Sequence, residues 1–343
     1  MIQDSTTDNC APIRLEPPVL TVPDLAEALD FFTRRLGFRV DMIAPADAPK
    51  IAVLSGLGVR LRLETSGMQA PLAESPIELP ERDREFVISR LGGKDAWSIG
   101  RAGMQYRDLI PGRLGGRVIA SHIRIPDGGE TPDYVHYHKV RFQMIYCKAG
   151  WVCVVYEDQG PPFVLEAGDC VLQPPEIRHR VLESSPGLEV IEIGCPASHE
   201  TWADHDLQLP TRQVLPDRLF GGQRFVRHHA RGASWTPWRL NGFEARDTGI
   251  AAATNGLAAA RVVKSNAAVT ATANAHAGKF LFLFVLHGEL GLDTLEQGDH
   301  QLQAGDSCII PAGMDYKLRA DVGLEMLEIH MPAELQPVKI DAS

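Results

Sequence analysis

Hydrophobic positions along the chain fall into stretches with different periods. Between Pro17 and Glu64, "VLTV" alternates like a strand and "DLAEALDFFTRRLGF" follows, with apolar residues at Leu25, Leu29, Phe32 and Leu36. That spacing predicts an amphipathic helix with Asp24 as its N-cap and Gly37 as its stop. "RVDMI", "KIAVLSG" and "VRLRLE" predict three strands, so residues 17–66 read as a β-α-β-β-β module. Residues 1–16 are polar and are expected to be loose. Residues 67–97 are rich in Pro, Glu and Ser and read as a linker, with a short helix near Arg82–Leu91.

From residue 98 onward, short strand-like runs punctuated by Gly and Pro take over, the pattern of a β-barrel or sandwich. This part contains an internal repeat. Met104–Ile125 matches Phe243–Lys264, which sets Arg107 on Arg246 at an offset of 139. Gly150 matches Gly288 at 138, and Gly168 and Pro174 match Gly305 and Pro311 at 137. The pattern predicts two copies of one β-domain, residues 98–200 and 241–335, with a connector at 201–240 and a tail at 336–343.

A chain of 343 residues is long for one ordinary core and suits two or three domains. The formal net charge of −10 argues against nucleic acid and anionic membranes as partners, since both call for a basic footprint. No apolar run approaches the roughly 18 residues of a spanning helix, and the first residues lack a signal-peptide pattern, so a cytoplasmic location is expected. The six cysteines form no CxxC pair and are expected to be reduced, buried thiols.

The candidate chemistry lies in the first copy. In "HYHKVRFQMIYCKAG", His136 and His138 stand two apart, so on a strand they share a face. "GDCVLQPPEIRH" supplies His179 after a Gly/Pro turn. Three neutral imidazoles on rigid strands make a facial site for a divalent transition metal, with open positions opposite. Gln143 is a candidate fourth ligand, or a catalytic group that holds a bound water or substrate. Strand parity groups Gln143 with Cys147, and His179 with Glu183; with Gln173 these are candidate substrate-binding residues. His122 and Arg124 share a face of the preceding strand. If that face is inward, His122 is a candidate catalytic group and Arg124 a substrate-binding one; if it is outward, both are surface residues. Cys147 has no local base to activate it, so packing is its expected role. In the second copy the matching positions are Asn274, His276, Leu281 and Tyr316, so the fold does not depend on the histidines.

The spacing of both motifs resembles that of the cupins: H-x-H, four residues, usually Glu, six residues, Gly; then Gly, five residues, Pro, four residues, His. Gln143 stands where that family usually has Glu. The resemblance implies a mainly β fold of two tandem cupin β-barrels (double-stranded β-helix, or jelly roll), the first metal-binding and the second degenerate. The phrase "TVPDLAEALDFFTRRLGF" resembles a single module of the vicinal oxygen chelate (glyoxalase) superfamily. Pro17 or Pro18 stands where that family places its first metal histidine, and Glu64 matches its carboxylate, so a structural or dimerising α+β module is expected. The cupin resemblance implies a non-haem Fe(II) three-histidine dioxygenase acting on a small chelating substrate, a diketone enol or a dihydroxylated aromatic. Alternatives are a Zn-, Mn- or Ni-dependent isomerase or decarboxylase, and a non-catalytic binding protein. The expected partners are a small-molecule substrate and further copies of the chain in a homodimer or larger homo-oligomer.

Overall fold

The computed structural model describes residues 16–65, 85–92, 97–100, 104–273 and 275–336. The N-terminal stretch, most of the linker, Asn274 and nearly all of the tail lie outside them. The first module forms as the periodicity requires. Asp24 accepts the Glu27 N–H at 3.0 Å and caps the helix Leu25–Asp30, which runs on as a π-helical turn, Phe31–Arg35. Gly37, at φ 71°, turns the chain back. Four strands follow the order Val19–Val22, Val59–Thr65, Ile51–Gly56, Arg39–Ala44, with the first pair parallel. Leu25, Phe38, Ile43, Leu54 and Leu63 form the core under the helix. Glu64 is engaged by Arg62 at 2.5 Å.

This small sheet does not stop at the module. Arg39–Ala44 pairs with Thr201–Ala203, which pairs in turn with His136–His138. The module and the two-histidine strand therefore share one ten-stranded sheet. One face of this sheet is covered within the chain: Met42, Ile51 and Val53 are buried there, with Trp202 packed against them.

The ten-stranded sheet closes the first barrel against a seven-stranded sheet that holds Ile119–Ile125, Phe142–Ala149, Cys170–Leu172 and Leu188–Cys195. A second barrel is built from sheets of seven and four strands. The two barrels pack back to back. Phe142, Met144, Ile191 and Ile193 from the first meet Phe280, Phe282, Phe284, Leu327 and Ile329 from the second in one buried cluster. Each such side chain contributes about 1.5–3 kcal/mol on burial, so the barrels form one packed unit.

The segments before each barrel cross to the other one. Val87–Ser89 adds a strand beside Ser307–Ile309 in the second barrel, and Val226–His228 adds one beside Cys170–Leu172 in the first. The helix expected near Arg82–Leu91 is thus replaced, in its described part, by a strand. Val87 and Ile88 are β-branched, and the open sheet edge supplies the hydrogen bonds that a helix would have made internally. Arg107 donates to the Gly305 carbonyl, while its repeat counterpart Arg246 donates to the carbonyl of Gly168, the counterpart of Gly305. This reciprocal clasp is the repeat expressed in three dimensions. Among the described residues, no helix is long and apolar enough to cross a membrane.

Candidate metal centre

Backbone pairing places each histidine. His136 and His138 flank Tyr137 on one short strand and are both buried. His179 opens the strand His179–Ser184, and its Cα pairs directly with that of His136. The candidate ligand nitrogens all lie within 4.8 Å of one another, and the ring centroids are 4.2–5.2 Å apart.

Each Nδ1 is engaged by a neighbour. His136 Nδ1 donates to the Tyr134 carbonyl at 2.8 Å and His179 Nδ1 to the Ile177 carbonyl at 3.0 Å. His138 Nδ1 meets Thr201 Oγ1 at 2.9 Å. A carbonyl only accepts, so the proton sits on Nδ1 of His136 and His179, and Nε2 carries the lone pair a metal needs. The fully buried Asp133 carboxylate stands 3.6 Å from His136 Nδ1. Partners of this kind are what fix the orientation of metal-binding imidazoles.

Gln143 lines the same cavity as the three histidines. Its amide nitrogen donates to Glu192 Oε1 at 2.6 Å, while its amide oxygen is buried and accepts no hydrogen bond. Leaving such an acceptor unsatisfied costs about 1–3 kcal/mol. A divalent ion, or a water or substrate held by one, would relieve that cost, so the donor set fits a metal. Glu192 also accounts for glutamine where the resemblance suggests glutamate. A carboxylate at position 143 would stand against a second carboxylate, and the two could not both ionise.

The barrel interior leaves a cavity of about 100 Å³. The three histidines, Gln143, Gln173, Glu192, His199 and Tyr156 line it, and most of the remaining wall is apolar, including Ile119, Ile123, Val152, Val154 and Val190. Gln173 donates to the Tyr156 hydroxyl at 2.9 Å, and its own buried amide oxygen also lacks a donor. Tyr156 stacks on His179 at 5.3 Å. His199 lies edge-on to His138, and its Nδ1 donates to the Pro196 carbonyl. Burial pushes the His199 pKa below the ordinary imidazole value.

Residues 121–193 match the cupin domain family. The first barrel has the cupin fold. No curated protein sequence matches the chain at a significant level. Solved structures resemble it in fold. The salicylate 1,2-dioxygenase of Pseudaminobacter salicylatoxidans matches over 75% of this chain and 86% of its own, at 15% identity and a TM-score of 0.55. Streptomyces albus HEPD, with 2-hydroxyethylphosphonate and Fe(II) bound, matches over 74% and 77%, at 13% identity and a TM-score of 0.52. An oxalate decarboxylase of Lactobacillus farciminis, in complex with formate, matches over 71% and 86%, at 12% identity and a TM-score of 0.51.

Several residues grouped by parity fall outside the cavity. On Ile119–Ile125, the cavity is lined by Ile119, Ser121, Ile123 and Ile125, so His122 and Arg124 point away from it. His122 is buried towards the second barrel, 2.8 Å from Glu189 and edge-on to Phe284. Arg124 lies over the Trp97 ring and bonds Gln105. Glu183 is exposed because Leu182 is an extra residue in the pairing with Trp151–Tyr156, and this bulge reverses the parity beyond Val181. Cys147 packs into the barrel core, where burial pushes its pKa up to about 12; it does not line the cavity. Gln173 does line it.

The sequence reading missed Glu192 and His199. For Glu192 a signal was present: "VIEIGCPA" and "MLEIHMPA" align at an offset of 136, so both copies carry a glutamate there. In the second barrel this glutamate, Glu328, is fully buried and held by Trp238 and Arg239. Its neighbours Leu281 and Tyr316 belong to a packed apolar interior, and His276 bonds the Ile310 carbonyl.

Proposed function

We propose that this chain is a metal-dependent oxygenase. In this reading His136, His138 and His179 hold a divalent transition metal, iron(II) in the first instance. The cavity presents a small chelating substrate to that ion, a diketone enol or a dihydroxylated aromatic. The convergence of three imidazoles beside the unsatisfied Gln143 oxygen carries the reading. When bound, such an ion supplies Lewis acidity with open positions and, as iron(II), electrons for dioxygen.

The chain's own residues do the rest. The imidazoles are neutral, so the centre favours an anionic, bidentate ligand. Glu192 holds the Gln143 amide so that its oxygen is left for a bound water or the substrate. Gln173 offers a second inward oxygen, and the apolar walls take the substrate's hydrocarbon body and keep bulk water out. Two of the solved structures of this fold are a dioxygenase and an Fe(II)-loaded protein, which is compatible with this reading.

A second reading keeps the site and changes the metal. Glu192 gives the cavity a protein carboxylate able to move a proton, as a Zn-, Mn- or Ni-dependent isomerase or decarboxylase requires. An oxygen electrode separates the two. Anaerobically Fe(II)-loaded protein, offered a panel of β-diketones and catechols, should consume oxygen in step with substrate loss. Turnover with Zn(II), Mn(II) or Ni(II) and no oxygen consumption would replace the first reading with the second.

A further inference from the structure

We infer that the N-terminal module is part of the active site: its loop Pro45–Asp47 forms the wall at the metal end of the cavity and controls access to it. The inference deepens the reading of that cavity as a substrate site and rests on it. Pro45, Ala46 and Asp47 line the same space as the three histidines. They lie at its metal end, because Thr201 is the direct Cα partner of His138 on one side and of Ile43, two residues before Pro45, on the other.

Two further features hold the loop there. The strand that leads into it, Arg39–Ala44, pairs with Thr201–Ala203, and Thr201 is the partner of His138 Nδ1. Arg113 also grips Asp47 with its guanidinium, and Asp108 with its Nε at 3.2 Å. The backbone that carries Arg113 is strained. Gly112 to Gly116 form a left-handed turn in which Arg113 and Leu114 have φ 51° and 48°. Non-glycine residues so held are strained, and such strain clusters at functional sites. The matching segment of the second barrel forms the right-handed helix Ile250–Ala253 instead. The first copy departs from its repeat at the place where it must reach Asp47. A wall built from a separate module and closed by one partly buried ion pair limits substrate length, and it can open without disturbing the barrel.

The test is chemical access to the site histidines in metal-free protein. Diethyl pyrocarbonate labelling, read by peptide mass spectrometry, should modify His136, His138 and His179 about tenfold faster in Asp47→Ala than in the unaltered protein, the scale of losing one partly buried ion pair in a local opening. Ala46→Trp should slow all three. The exposed His287 serves as the control and should not change in either. Equal labelling of the three histidines in all proteins, with His287 constant, overturns the inference. Metal binding measured on the same proteins keeps the two claims apart. Labelling that follows the loop in a protein that binds no metal supports the wall and removes the oxygenase reading.

Discussion

Gln143 is the residue on which the chemistry of this site turns. Read from the sequence, it is a neutral side chain where the motif suggests a charged one, with no visible reason. In the fold the reason is Glu192, which comes from a strand 49 residues later and accepts a hydrogen bond from the Gln143 amide nitrogen at 2.6 Å. Sequence spacing sets the three candidate ligand imidazoles, because parity on one short strand and a Gly/Pro turn decide them locally. It does not set their orienting partners, which come from distant segments. Thr201 is the clearest case: it lies 63 residues from His138 and still bonds its Nδ1. Thr201→Val should therefore weaken metal affinity by about 10- to 100-fold while leaving the three ligands in place. Competitive titration against a chromophoric chelator measures this, and an unchanged affinity would show that Thr201 does not orient the ring.

At the scale of strands, what the sequence leaves open is which face turns inward. Period-two patterning identifies Ile119–Ile125 as a strand, but both of its faces are buried, one in the cavity and one against the second barrel. Alternation alone then cannot assign His122. The bulge at Leu182 is equally silent in the sequence and moves Glu183 outward. The position of His122 has a consequence for stability. Burial lowers its pKa from 6.5, against the raising effect of Glu189, and burial likewise lowers those of His276 and His330. The unfolded chain then binds more protons than the folded one as pH falls through the ordinary imidazole range, so stability declines on acidification. Glu189, held down to about 2 chiefly by the His122 hydrogen bond and also by Lys148, loses its contribution at still lower pH, below its ordinary 4.5. Scanning calorimetry should give a lower Tm at about pH 5.5 than at about pH 7.5. A Tm that stays flat or rises over that interval would contradict the burial of these histidines as neutral rings.

The whole molecule is one fold used twice with opposite outcomes. The second barrel fills its interior with Leu281, Leu283, Leu318, Tyr316 and their neighbours, and it locks its glutamate with Arg239. The first keeps a cavity and sets polar groups around it. Packed through a shared apolar face and clasped by Arg107 and Arg246, the solid barrel and the N-terminal module brace the hollow one on two sides. Rigid support of this kind fixes the strands that carry the three histidines. The most direct measurement is the divalent metal content, by mass spectrometry, of the purified chain and of His179→Ala, with circular dichroism to confirm that both are folded. The unaltered chain should hold about one transition-metal ion and the folded variant almost none. A folded chain that takes up no divalent metal when it is offered, or a variant that retains it in full, would contradict the three-histidine site.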